Sequence, residues 1–167
     1  MHTRNRTLVI SIALFAVLAL SACNIGIDRN ADGSLRAEAR MSEDMLQDEI
    51  SAAIADPLVQ SLTADLREGY VWVEAVRKRL GSEQTDDMRF RLDLGASDGH
   101  LTAAVSEATL NDAPIDPARV GLWNERIAAK LERAGQRNPD SALQSVSVGA
   151  DAVTMVWRIE TPRSRGE

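Results

Sequence analysis

The feature that most constrains this chain is the way its apolar residues switch between a period of two and a helical period of about 3.6, from residue 35 to residue 159. Leu35, Ala37, Ala39 and Met41 alternate with Arg36, Glu38 and Arg40, the pattern of a half-buried strand. Ser42 then supplies a helix cap, and Glu43 and Asp44 suit the positive end of a helix dipole. Met45, Leu46, Ile50, Ala53 and Ile54 recur at helical spacing until Asp56-Pro57 ends the segment.

Alternation returns beyond Pro57. Leu62, Ala64 and Leu66 lead through a Glu68-Gly69 turn to Val71, Val73 and Ala75, which predicts a hairpin. Met88, Phe90, Leu92 and Leu94 lead through Asp98-Gly99 to Leu101, Ala103 and Val105, which predicts another. Asp116-Pro117 is a helix start, and Val120, Trp123, Ile127, Leu131 and Ala134 form one stripe that Gly135 closes. A last hairpin sets Val146 and Val148 against Val153, Met155, Trp157 and Ile159 across Gly149 to Asp151.

The expected class is therefore α+β, in the order β-α-β-β-β-β-α-β-β. Short turns force antiparallel neighbours, so the expectation is one twisted antiparallel sheet of about seven strands packed on two helices.

The start of the chain has a different character. Arg4 and Arg6 precede Leu8 to Leu20, which carries no charge and only Ser11 as a polar residue. As a helix that run spans roughly 20 Å against a bilayer core of about 30 Å, so it reads as a signal peptide and not as a spanning segment. Leu20-Ser21-Ala22-Cys23 follows and resembles the lipobox of bacterial lipoproteins. The resemblance implies cleavage after Ala22, diacylglyceryl transfer to the Cys23 thiol and further acylation of the new amino terminus. Two or more acyl chains hold a protein stably where one gives reversible attachment.

This divides the chain into a signal peptide (1–22), a lipidated tether (23–33), a single domain (34–161) and a short tail (162–167). The expected location is the extracytoplasmic face of a cell membrane. Cys23 is the sole cysteine, so no internal disulfide braces the domain. The whole chain has 19 basic and 25 acidic residues; without the two leader arginines the acids exceed the bases by eight. No basic cluster offsets that balance, which disfavours nucleic acid, anionic headgroups and polyanionic partners.

Reactive chemistry is sparse. His100 is the one histidine beyond the leader and no second thiol exists, so acid–base or nucleophilic catalysis lacks a partner and no enzyme is expected. The run Asp28, Asn30, Asp32, Gly33 copies the first half of a calcium loop, but the twelfth position is Ala39 where a bidentate glutamate is needed. It reads as a turn, and neither a metal nor a cofactor is expected.

The strand after Gly69 carries Tyr70, Trp72 and Val76 opposite its core-facing valines, so two aromatics point away from the expected core. The succession Leu62 to Val73 and Leu92 to Val105, followed by Pro114 to Ile127, resembles small bacterial envelope proteins related to the tubular lipid-binding (TULIP-like) group, and also uncharacterised lipoproteins. That resemblance implies a curved sheet around a long helix and an apolar ligand. The expected function is a non-enzymatic module holding a lipid-like molecule, with Trp123, Ile127 and Leu131 as one wall and Phe90 and Trp157 opposite. The alternative is a structural or interaction lipoprotein of the envelope, with Tyr70 and Trp72 as its contact patch for a protein partner of unknown identity.

Overall fold

The computed structural model describes residues 24–54, 56–135 and 140–160. The expected signal peptide (1–22), Cys23 and the expected tail from residue 162 lie outside the described residues. Among the described residues two helices and nine strands follow in order: β1 (Asn24–Arg29), β2 (Leu35–Ser42), α1 (Glu43–Ile54), β3 (Val59–Arg67), β4 (Tyr70–Lys78), β5 (Thr85–Ser97), β6 (His100–Leu110), β7 (Ala113–Pro114), α2 (Pro117–Gly135), β8 (Ser141–Val148) and β9 (Ala152–Ile159).

The class is α+β with antiparallel pairing throughout, but the strands form two sheets, not one of about seven. A four-stranded sheet has the order β1-β2-β9-β8 and a five-stranded sheet the order β3-β4-β5-β6-β7. The reason is long-range: β2 pairs along its length with β9, Leu35 facing Ile159 and Ser42 facing Ala152, while α1 carries the chain across to β3. Local alternation announces seven of these strands, all but β1 and β7, and gives no sign of a partner at the other end of the chain.

Residues 24–29, expected within a tether, form the edge strand β1, in register with β2 from Asn24 opposite Arg40 to Arg29 opposite Leu35. The β1–β2 turn is the stretch that resembled half a calcium loop. Asp32 Oδ1 accepts the Ser34 amide at 3.0 Å and the Ser34 hydroxyl at 2.7 Å, and Asp32 Oδ2 meets Arg158 Nη2 at 2.8 Å. These bonds, those from Ser34 first, hold the Asp32 carboxyl below its ordinary range.

Both helices start where cap chemistry places them. Ser42 Oγ accepts from the Met45 amide at 3.5 Å, and Asp116 Oδ1 accepts from the Ala118 amide at 2.7 Å just before Pro117. Each then closes an edge of the five-stranded sheet with its side chains. On α1, Glu43 Oε2 accepts the Leu66 amide at 2.9 Å and Gln47 Oε1 the Ala64 amide at 3.2 Å. Four helical residues rise about 6 Å and two strand residues about 6.8 Å, so an i, i+4 pair on a helix serves an i, i+2 pair on a strand. On the opposite edge, Asn124 of α2 accepts the Val105 amide at 2.7 Å and donates to the Val105 carbonyl at 3.0 Å, completing both backbone groups as a neighbouring strand would.

The core lies between these helices and the two sheets. Val71, Val73 and Val153 are its most enclosed large side chains, joined by Leu46, Leu66, Phe90, Leu92, Val105 and Val148. Burying each such side chain contributes about 1.5–3 kcal/mol. The sheets also meet through backbone bonds on the outer edge of β8. Gly69 donates to the Val148 carbonyl and Leu143 to the Gly99 carbonyl, both at 2.8 Å, so β8 lies across the tips of the β3–β4 and β5–β6 hairpins. Asp98 and Gly99 have φ of 52° and 79°, the double left-handed turn expected for this dipeptide. A side chain at Gly99 would also meet the Ala142 Cβ at 3.3 Å, so glycine is required there for two reasons.

Candidate functional site

The residues expected to enclose a ligand divide between two places. Phe90, on β5, is buried in the main core beside Val73 and Val105. Trp123 and Ile127, on α2, are half-buried and pack against that same cluster. Leu131 is half-buried one turn further along α2. Trp157 does not face Phe90: it lies on β9 in the four-stranded sheet, between Ala37 of β2 and Leu143 of β8. The structure therefore gathers Phe90, Trp123 and Ile127 and leaves Trp157 apart from them.

Tyr70 and Trp72 do stand together, on the face of the five-stranded sheet opposite the core. Alternation on β4 dictates this, because Val71, Val73 and Ala75 at 0%, 0% and 2% exposure fix the inner face and the intervening residues must point outward. The helices cannot cover them, since Leu46 and Ile50 of α1 and Trp123 and Ile127 of α2 pack on the inner side.

What lies over the rings is arginine. The Arg91 guanidinium sits 4.3 Å from the centre of the Tyr70 ring and that of Arg67 5.8 Å from the Trp72 ring, both within cation–π range. Register explains the approach: Trp72 faces Arg91 across β4–β5 and Asp65 across β3–β4, while Arg67 faces Tyr70. Carboxylates hold each cation in turn. Arg67 meets Asp65 at 2.9 Å, Arg91 meets Asp93 at 2.7 Å and Glu107 at 3.8 Å, and Arg89 meets Glu74 at 3.5 Å and Asp112 at 2.8 Å. Trp72 Nε1 donates to Glu74 at 3.2 Å. The Asp93 contact leads in holding the Arg91 guanidinium further into its charged form.

A β-bulge completes the patch. Between Arg89 and Arg91 the β5–β6 register shifts, and Glu107 takes φ of 50°. The extra residue returns Ala108 to the core after Val105 and brings Glu107 to the charged face. The arginines and acids around Tyr70 and Trp72 were visible in the sequence only as the polar half of each alternation. Their assembly depends on the β4–β5 register, and the intervening loop is too long for its length to set that.

His100 is half-buried at the start of β6, opposite Ser97 across the hairpin. Among the described residues no group of three or more histidine, cysteine or acidic side chains is arranged to hold a metal, and no helix is long and apolar enough to cross a membrane. No family model, curated protein or solved structure matches the chain, so the likeness to envelope lipoproteins and to the tubular lipid-binding group rests on the sequence pattern alone.

Proposed function

We propose that this protein is a lipid-anchored, extracytoplasmic and non-enzymatic module that docks a protein partner through the outer face of its five-stranded sheet. The observation that carries the reading is the pairing of Tyr70 with Arg91 and of Trp72 with Arg67 on a face to which neither helix packs. Tyrosine, tryptophan and arginine supply a disproportionate share of binding energy at interfaces, because they bury large areas and lose little rotamer freedom when already held. Here the salt bridges hold the arginines and the sheet holds the rings, so much of the ordering cost of binding is met before a partner arrives. The anchor rests on the lipobox at Leu20-Ser21-Ala22-Cys23.

The test is photocrosslinking of the acylated protein in its own envelope, with a benzophenone residue replacing Thr63, an exposed neighbour opposite Glu74 on this face. A discrete adduct that Tyr70→Ala with Trp72→Ala abolishes is the expected result. Labelling no different from that at exposed Leu122 on α2 refutes the reading.

A second reading, an apolar ligand held at α2, draws on the half-burial of Trp123, Ile127 and Leu131, which leaves an apolar seam along the helix flank. Native mass spectrometry of the mature protein separates the two. A co-purifying lipid mass, with Trp fluorescence that responds to lipid, supports the ligand, and a ligand-free mass with unresponsive fluorescence counts against it.

A further inference from the structure

Among the described residues the long strands nearest the sheet edges are met by other elements, except one. α1 completes β3, and Asn124 and the chain at Ile115 complete β6, with Ile115 donating to the Ala108 carbonyl at 2.8 Å. The hairpin tips complete β8. Among the described residues nothing bonds to the outer edge of β1. Among the described residues that strand also carries the two exposed isoleucines, Ile25 at 38% and Ile27 at 63%. Both point to the side of Ala39 and Ala37, and Leu35, Trp157 and Ile159, all half-buried, extend the same apolar surface.

An open, apolar edge invites aggregation unless something covers it. The position of this edge in the chain names the cover. β1 starts one residue after the lipobox cysteine, and four residues span at most about 14 Å, so Ile27 cannot leave the neighbourhood of the anchor. Since β1 is fixed in the sheet by six register pairs, no free tether separates anchor from domain. Charge fits as well: the β1–β2 pair carries Arg29, Arg36 and Arg40 against Asp28 and Glu38, and of these Arg29 and Arg40, at opposite ends of the pair, meet no carboxylate among the described residues. The rest of the mature chain is strongly acidic.

We propose that the edge of β1 lies in the headgroup layer of the membrane that receives the anchor, with Ile25 and Ile27 at the boundary of the acyl chains and Arg29 and Arg40 among anionic headgroups. The proposal rests on acylation of Cys23. Water and headgroups satisfy the free backbone groups of the edge at that depth, which the hydrocarbon core would not do. The consequence is a fixed pose: the domain stands on β1 with a defined tilt instead of swinging on its lipid.

The test uses the acylated protein with Ile27→Cys, whose new thiol is the only free one once Cys23 carries lipid. It is labelled with a nitroxide and placed in vesicles of phosphatidylethanolamine and phosphatidylglycerol, with Leu122→Cys as the solvent-facing control. We expect the ratio of collisions with dissolved oxygen to collisions with a water-soluble nickel chelate to be several-fold higher at position 27 than at position 122. Ile25→Ser, at an exposed site outside the core, should reduce that ratio. Intact mass reports acylation in the same sample. Acylated protein whose label behaves alike at both positions overturns the immersion and leaves the anchor standing, whereas protein without the acyl mass overturns the anchor itself. Dipolar broadening between labels at position 27 places a second copy on β1 and also overturns the proposal.

Discussion

Asn124→Ala is the perturbation that tests most sharply how this fold closes its sheets. The amide makes two bonds to one residue, accepting from the Val105 N–H at 2.7 Å and donating to the Val105 carbonyl at 3.0 Å, and Val105 is a buried member of the core. Truncation strands a backbone donor and an acceptor, each costing about 1–3 kcal/mol when water cannot replace the partner. Asn124 is half-buried, so water reaches one side of the gap, and about 2–3 kcal/mol in total is the reasoned loss. For a domain of this size that is a fall in melting temperature of roughly 5–10 °C. Urea and thermal unfolding of the mature chain, followed by circular dichroism, measure it. Leu122→Ala, nearby on the exposed side of α2, is the near-neutral control. Asn124→Asp should also destabilise at neutral pH, because its carboxylate opposes the Val105 carbonyl, and should recover part of the loss in acid as the group becomes a donor again. An Asn124→Ala variant within about 0.5 kcal/mol of its parent refutes the idea that this side chain serves as a strand.

Gly99→Ala should cost about 1–3 kcal/mol, since φ of 79° strains any side chain and the added Cβ meets Ala142 at 3.3 Å; chemical denaturation reads it directly. Gly69→Ala shares the strained φ but has open space around its Cβ, so it should cost less. Acid should weaken the fold through Asp32, Asp56 and Asp86, whose carboxyls are held below the ordinary value by the Ser34 bonds, by the Leu58 amide with Arg77, and by Arg79 with Asn111. Groups with depressed folded values contribute fully above the unfolded value of about 3.9 and lose that contribution as the pH falls through the lower folded ones. Melting temperature should therefore hold from neutral pH to about 4 and drop below it, and Asp56→Asn should flatten the drop. Tyr70→Ala with Trp72→Ala should leave the core intact in near-ultraviolet spectra while removing partner capture, and a collapse of the fold instead would assign the pair a structural role.

How much of this was legible in the sequence depended on distance along the chain. The three hairpins and both helices follow from alternation, turn glycines and caps, all of which act within a few residues. β1 was missed because only Ile25 and Ile27 mark it and they adjoin the lipobox, where the chain read as tether. The division into two sheets was missed because the pairing of Leu35 with Ile159 leaves no local trace. The outward aromatics were legible, since Tyr70 and Trp72 fall out of phase with Val71 and Val73. Their arginine covers were not, because the β4–β5 register and the Glu107 bulge bring them into place. Trp157 shows the same limit from the other side: its apolar phase was plain, and its sheet was not.

The partnership of β2 with β9 also bears on how the molecule is made. The N-terminal strands cannot dock until residues near 159 have been synthesised, and contacts of such sequence separation form late and slowly. β2 thus keeps the edge that faces β9 open through most of synthesis, with only the local β1–β2 hairpin within its reach. The arrival of β9 then closes the four-stranded sheet on the inner side of β2 and leaves β1 at its margin.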